Sequence, residues 1–127
     1  MQPRVFYAQI IVLIAVAILH ITALEYKLYW YFVWLDVLAH FLGGTWAILT
    51  LMWLSTWHYG SEWRFPPLLA LAAALLVGVG WELFEFTIGI PRDDNFVFDT
   101  AVDLLMDTLG GMTGWALGRY IERNQTT

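Results

Sequence analysis

Asp36, His40, Glu82, Glu85, Asp99, Asp103 and Asp107 stand inside stretches that otherwise read as membrane-spanning helices. Asp36 and His40 are four residues apart, Glu82 and Glu85 three, and Asp99, Asp103 and Asp107 follow a four-residue step, so each set lines one helix face. No Lys or Arg stands within a helical turn of any of them. Ionisable groups in a bilayer are costly unless they face a polar cavity, share protons or hold a cation. Six acids crowded into one half of a bundle cannot all stay ionised without countercharge. Two resolutions follow: acids that are protonated and hydrogen-bonded, as in a proton or cation path, or metal ions that keep them deprotonated.

One imidazole among many carboxylates suits a hard or borderline divalent ion. Magnesium, calcium and manganese take oxygen ligands, and zinc or iron would also accept His40. All seven residues are candidate ligands, for one ion or for two with a bridging carboxylate. Such a centre can activate water and clamp a phosphoryl or acyl group, with His40, Glu85 and Asp107 as candidate catalytic groups. Each residue also has a plainer reading. Asp99 and Asp36 could cap helix N-termini, Asp103 and Asp107 could bond to neighbouring helices, and Glu82 and Glu85 could snorkel toward water. His40 could bond to an adjacent helix, or have its tautomer fixed by Asp36.

The elements that must hold these side chains are helices in lipid. Of the 127 residues 60% are hydrophobic and mean hydropathy is +0.63, which leaves too little polar surface to cover a small soluble domain. The expectation is an all-α, four-transmembrane-helix bundle with an interfacial aromatic segment, a single integral membrane domain over residues 1–127. The spans fall at about 5–24, 35–57, 68–88 and 97–121. Residues 5–24 are longer than a usual signal-peptide core and lack a good cleavage site, so they read as a retained first helix. The aromatic stretch Tyr29-Trp30-Tyr31-Phe32 suits the headgroup layer. Two prolines, Pro66 and Pro67, can start the third span, and residues 89–95 break it. The absence of cysteine excludes disulfides and thiolate metal sites, and no basic stripe exists to bind nucleic acid.

In an up-and-down order the loops after the first and third spans emerge on one membrane side. All three constellations then share a leaflet, with Asp107 as the floor, roughly 12 Å deeper than Asp99 at about 1.5 Å per residue. Glycines continue the same faces: Gly43 or Gly44, Gly78, Gly110 or Gly111, Gly114 and Gly118. Small residues let helices approach closely in lipid, so the polar faces are expected to be the packing faces. Arg4, Arg64, Arg119 and Arg123 on the side of the termini, against Lys27 and Arg92 on the other, predict cytoplasmic termini. His20 lies near the same membrane side and could join the site, though it is read first as interfacial; Trp81, Phe84 and Phe86 are read as facing lipid or neighbouring helices, and Glu62 and Glu122 as ordinary surface acids. Arg92, Asp93 and Asp94 read as a solvated loop, with Arg92 able to meet an anionic headgroup.

The succession Leu35-Asp36-Val-Leu-Ala-His40-Phe-Leu-Gly43-Gly44, then Trp81-Glu82-Leu-Phe-Glu85-Phe, then Asp99-Thr-Ala-Val-Asp103-Leu-Leu-Met-Asp107-Thr-Leu-Gly110-Gly111 resembles the YjdF family of small inner-membrane proteins. It is more distantly similar to the VanZ-like membrane proteins. The likeness spans about residues 35 to 118, and Asp36, His40, Glu82, Glu85, Asp103 and Asp107 match the family's polar positions. The resemblance implies a multi-pass protein without an assigned reaction; VanZ-like relatives are linked to glycopeptide-antibiotic resistance and the cell envelope. Typical YjdF-like members are longer, with further N-terminal spans, so a homo-oligomer is expected to complete the bundle. The functional expectation is a metal-binding membrane protein of the cell envelope, a metal-dependent hydrolase or transferase acting on a lipid-linked headgroup, in contact with membrane lipids. A cation or proton transporter using the acidic column, and a structural subunit, are the alternatives.

Overall fold

The computed structural model describes residues 3–60, 64–88 and 95–124, all-α among the described residues. Helix α1 covers Pro3–Glu25, α2 Leu28–Tyr31, α3 Trp34–Tyr59, α4 Pro67–Ile88 and α5 Phe96–Arg123. Every long helix begins and ends within two residues of its expected place. Local chemistry explains the ends. Lys27 turns left-handed at φ 54° and releases the chain into the single aromatic turn of α2. Gly60, at φ 89°, ends α3 with its N–H on the Thr56 carbonyl. Pro67 opens α4, where a missing N–H costs nothing. Trp115 Nε1 donates to the Phe65 carbonyl at 2.8 Å and pins that entry to α5. Glu62, Arg92, Asp93 and Asp94 lie outside the described residues.

Among the described residues three helices, at Pro3–Glu25, Trp34–Tyr59 and Pro67–Thr87, are long and apolar enough to cross a membrane. Helix α5 has 28 residues, but its acids and glycines dilute its hydropathy. Its pattern is inverted relative to a soluble amphipathic helix: Asp103, Asp107, Gly110, Gly111, Gly114 and Gly118 are buried, while Val97, Phe98, Leu105, Leu109 and Leu117 are exposed.

Helix α3 is the centre of the assembly, packed along α5 and α1; α4 packs mainly on α5. Contacts that climb together, Gly44 to Asp107 and Gly118 to Met52, make α3 and α5 parallel. Gln9 meets Trp46 and Thr50 while Phe6 meets Trp53, so α1 runs antiparallel to α3. Gly78 against Asp107 and Ala74 against Gly111 make α4 antiparallel to α5. The apolar core, Ile48, Met52, Phe65, Ala70 and Ala74, occupies the half of the bundle away from the acidic cluster. At that far end Glu122 corrects the sequence reading. It is buried rather than a surface acid, because Arg119 one turn earlier donates to its carboxylate at 2.8 Å.

Candidate metal centre

Two close backbone approaches set the site. A Cβ on Gly44 would overlap the Asp107 carbonyl, and one on Gly110 would overlap the Phe41 carbonyl. Only hydrogen at these positions lets α3 and α5 come together. Thr45 fastens the crossing, its Oγ1 donating to the Phe41 carbonyl at 2.8 Å and the Gly110 carbonyl at 3.0 Å. The register thus imposed sets Asp103 and Asp107 of α5 opposite His40 of α3. Of the two glycines the sequence left open, Gly44 faces the partner helix and Gly43 does not.

His40 is 5% exposed and flanked on both ring nitrogens. Nδ1 lies 3.1 Å from Asp107 Oδ2, close enough for a hydrogen bond. With the Asp107 carboxylate accepting from Nδ1–H, the free lone pair is on Nε2. Nε2 faces Asp103 Oδ1 at 3.8 Å and Asp36 Oδ1 at 3.9 Å. One ligand atom each from Asp36, His40 and Asp103 lie within 4.8 Å of one another. Asp103 is 4% exposed, and its Oδ1 is buried without a hydrogen-bond partner. Orphaned buried oxygens of this kind need an explanation, an ion among them. The edges are longer than the roughly 3.0–3.4 Å expected around an ion with bonds of about 2.1 Å. A bound ion would have to draw the three atoms together by that difference. With that closure the cluster can hold a divalent cation.

The remaining candidates occupy different surroundings. Asp107 serves the far nitrogen of His40, on the floor of the cluster. Glu85 accepts from Trp81 Nε1 at 2.9 Å and lines the same cavity as Asp36, His40 and Asp107. Glu82 accepts from Thr100 Oγ1 at 2.8 Å and lines a separate groove between α4 and α5, with Phe86, Phe96 and Val97. Asp99 is exposed in the first turn of α5, whose N-cap is Asn95. Glu82 and Asp99 thus lie outside the three-atom cluster.

Several partners had no place in the sequence reading. Tyr29 Oη and His20 Nδ1 lie 2.7 Å apart, and His20 also lines the cavity. Partial burial first, then the charges of Asp36 and Glu85, push the Tyr29 phenol up to about 12. Which of the two donates follows from the His20 tautomer. The Trp81–Glu85 pair was available from its four-residue spacing, and Thr100 from its place beside Asp99. The His20–Tyr29 pair needs the reversal at Lys27, which no spacing rule supplies.

The chain belongs to the family described as Predicted membrane protein (DUF2238), which matches residues 2–124. No curated protein and no solved structure matches it.

Proposed function

We propose that this is a four-span protein of the cell membrane that holds a divalent metal on Asp36, His40 and Asp103 and acts on a lipid-linked headgroup, by hydrolysis or group transfer. One observation carries the metal reading: His40 Nε2 and two carboxylate oxygens converge beside a buried Asp103 oxygen that has no hydrogen-bond partner. Asp107 acts through His40, fixing its tautomer as carboxylates do for metal-bound imidazoles. An imidazole among so few donors favours zinc, iron or manganese over calcium, which takes six to eight oxygens. A bound ion would supply charge stabilisation and a more acidic water. Glu85 lines the adjoining cavity, where its carboxylate can accept a proton.

Helix α5 as the fourth span is supported by its inverted exposure pattern and by its parallel course beside α3. Arg4 Nη1 donates to the Asn124 carbonyl at 3.4 Å, which agrees with both termini on one side. The arginine excess at that end favours the cytoplasm. The likeness to YjdF and VanZ-like proteins supports a role in the cell envelope. A proton relay through the bilayer is less favoured, because Thr45, Ser55 and Thr56 each donate their hydroxyl to a backbone carbonyl.

Elemental analysis tests the reading. Protein purified without chelator and supplied with manganese, zinc, iron, magnesium and calcium should retain one of them stoichiometrically, and Asp103→Asn should lose it. Wild-type protein that retains none refutes the metal site.

A further inference from the structure

Helices α1 and α4 share no backbone contact. The rings of His20 and Trp81, 6.4 Å between centroids, bridge them at the acidic end. Between the two helices, with α3 as floor, lies a cavity of about 260 Å³. Its walls are apolar, from Leu13 and Val16 of α1 and Val77 of α4, while its polar lining is Asp36, His40 and Asp107 with His20 and Glu85; Asp103 stands outside that lining and is reached through Asp36 and His40, which share the metal cluster with it. From Leu13 to His20 it follows roughly 10 Å of helix, about a third of a hydrocarbon core of some 30 Å. Gly43 lies in the floor, where an added Cβ would meet nothing within 4 Å.

We propose that this cleft admits the hydrocarbon chain of a membrane lipid sideways from the bilayer and brings its phosphate head to the Asp36–His40–Asp103 cluster. The proposal names the substrate class of the site above and rests on the metal reading, since only a bound cation makes a cluster of carboxylates attractive to phosphate. An apolar slot with one charged end matches an amphiphile; a free anion would gain nothing from the walls.

The test uses the full chain in dodecyl maltoside, loaded with manganese. Dodecyl phosphate and inorganic phosphate are titrated calorimetrically into wild type and into two independent plugs, Gly43→Leu from the floor and Ala17→Phe from α1, with bound manganese measured in each. Dodecyl phosphate should bind wild type roughly tenfold or more tighter than inorganic phosphate, because methylenes are buried. Both plugs should erase that preference while retaining manganese. Equal affinity for the two probes in wild type overturns the lipid assignment, as does a preference that survives both plugs. A dimer that Gly43→Leu dissociates would also overturn it, giving the cleft to a second copy. If wild type binds no manganese yet keeps a plug-sensitive chain preference, the metal reading and the delivery of phosphate to the cluster both fail, and the cleft's binding of the hydrocarbon chain stands.

Discussion

Replacing Asp107 by Asn leaves an amide oxygen where a carboxylate oxygen lies 3.1 Å from His40 Nδ1, so the ring orientation survives while a charge is lost. Hydrogen bonds to charged groups are worth about 1.5–3 kcal/mol and neutral ones about 0.5–1.5, a difference of about 1–1.5 kcal/mol. At about 1.4 kcal/mol per factor of ten, metal affinity should fall roughly 5- to 12-fold. Asp107→Leu removes the acceptor altogether, frees the tautomer and should approach the upper end of the 10–100-fold range typical of such supporting contacts. Asp103→Asn takes the negative charge from a donor group within the cluster and leaves a neutral amide, so its loss should exceed about 100-fold, beyond that range. Manganese or zinc titration against a chromogenic chelator ranks the three. If Asp107→Asn costs as much as Asp103→Asn, Asp107 is itself a ligand and the division of roles at His40 is wrong.

Other substitutions separate packing from binding. Gly44→Ala puts a methyl into the Asp107 carbonyl and should cost about 1–3 kcal/mol by overpacking. Gly80→Ala, where nothing lies within 4 Å, should leave thermal unfolding in detergent almost unchanged. Thr100→Val removes the hydroxyl that Glu82 accepts from, and metal affinity should hold within about twofold because Glu82 lies outside the cluster. A larger loss, in the same titration, would bring Glu82 into the site. Gln9→Leu deletes the acceptor shared by Trp46 and Thr50 and should weaken α1 docking by about 0.6–2 kcal/mol, read as a lower unfolding midpoint.

Much of the scaffold is legible because its punctuation is chemical: Pro67 opens α4, Gly60 closes α3, and aromatic residues mark the turn after α1. The partnership of α3 with α5 is legible too, from polar residues and glycines that share a face. Rotation about each helix axis is not. Glu82 and Glu85 differ by about 60° around a helix of about 3.6 residues per turn, and that angle sends Glu85 into the cavity and Glu82 into the groove toward α5. Gly43 and Gly44 pose the same ambiguity at about 100°; the packing of α5 settles it in favour of Gly44. Glu122 reads as a surface acid because its partner Arg119 lies on a helix end that sequence alone leaves open to water.

Helix α5 shows why average hydropathy is a poor guide to this bundle. The exposed outer face of α5 carries Val97, Phe98, Leu105, Leu109 and Leu117, the face that lipid would meet in the proposed fourth span. The residues that lower its average are turned inward, where glycine permits backbone contact and His40 lies against Asp103 and Asp107. A uniformly apolar α5 would have no such inner face, because leucine at Gly110 would hold α3 away and take His40 out of reach of both aspartates. The features that make α5 look unsuited to a membrane are therefore the ones that assemble the centre. Metal affinity should then depend on the α3–α5 glycines as well as on the ligands: Gly110→Ala should weaken metal binding while leaving all three ligands in the sequence. Unchanged affinity in a folded Gly110→Ala protein would refute the claim that this backbone approach builds the site.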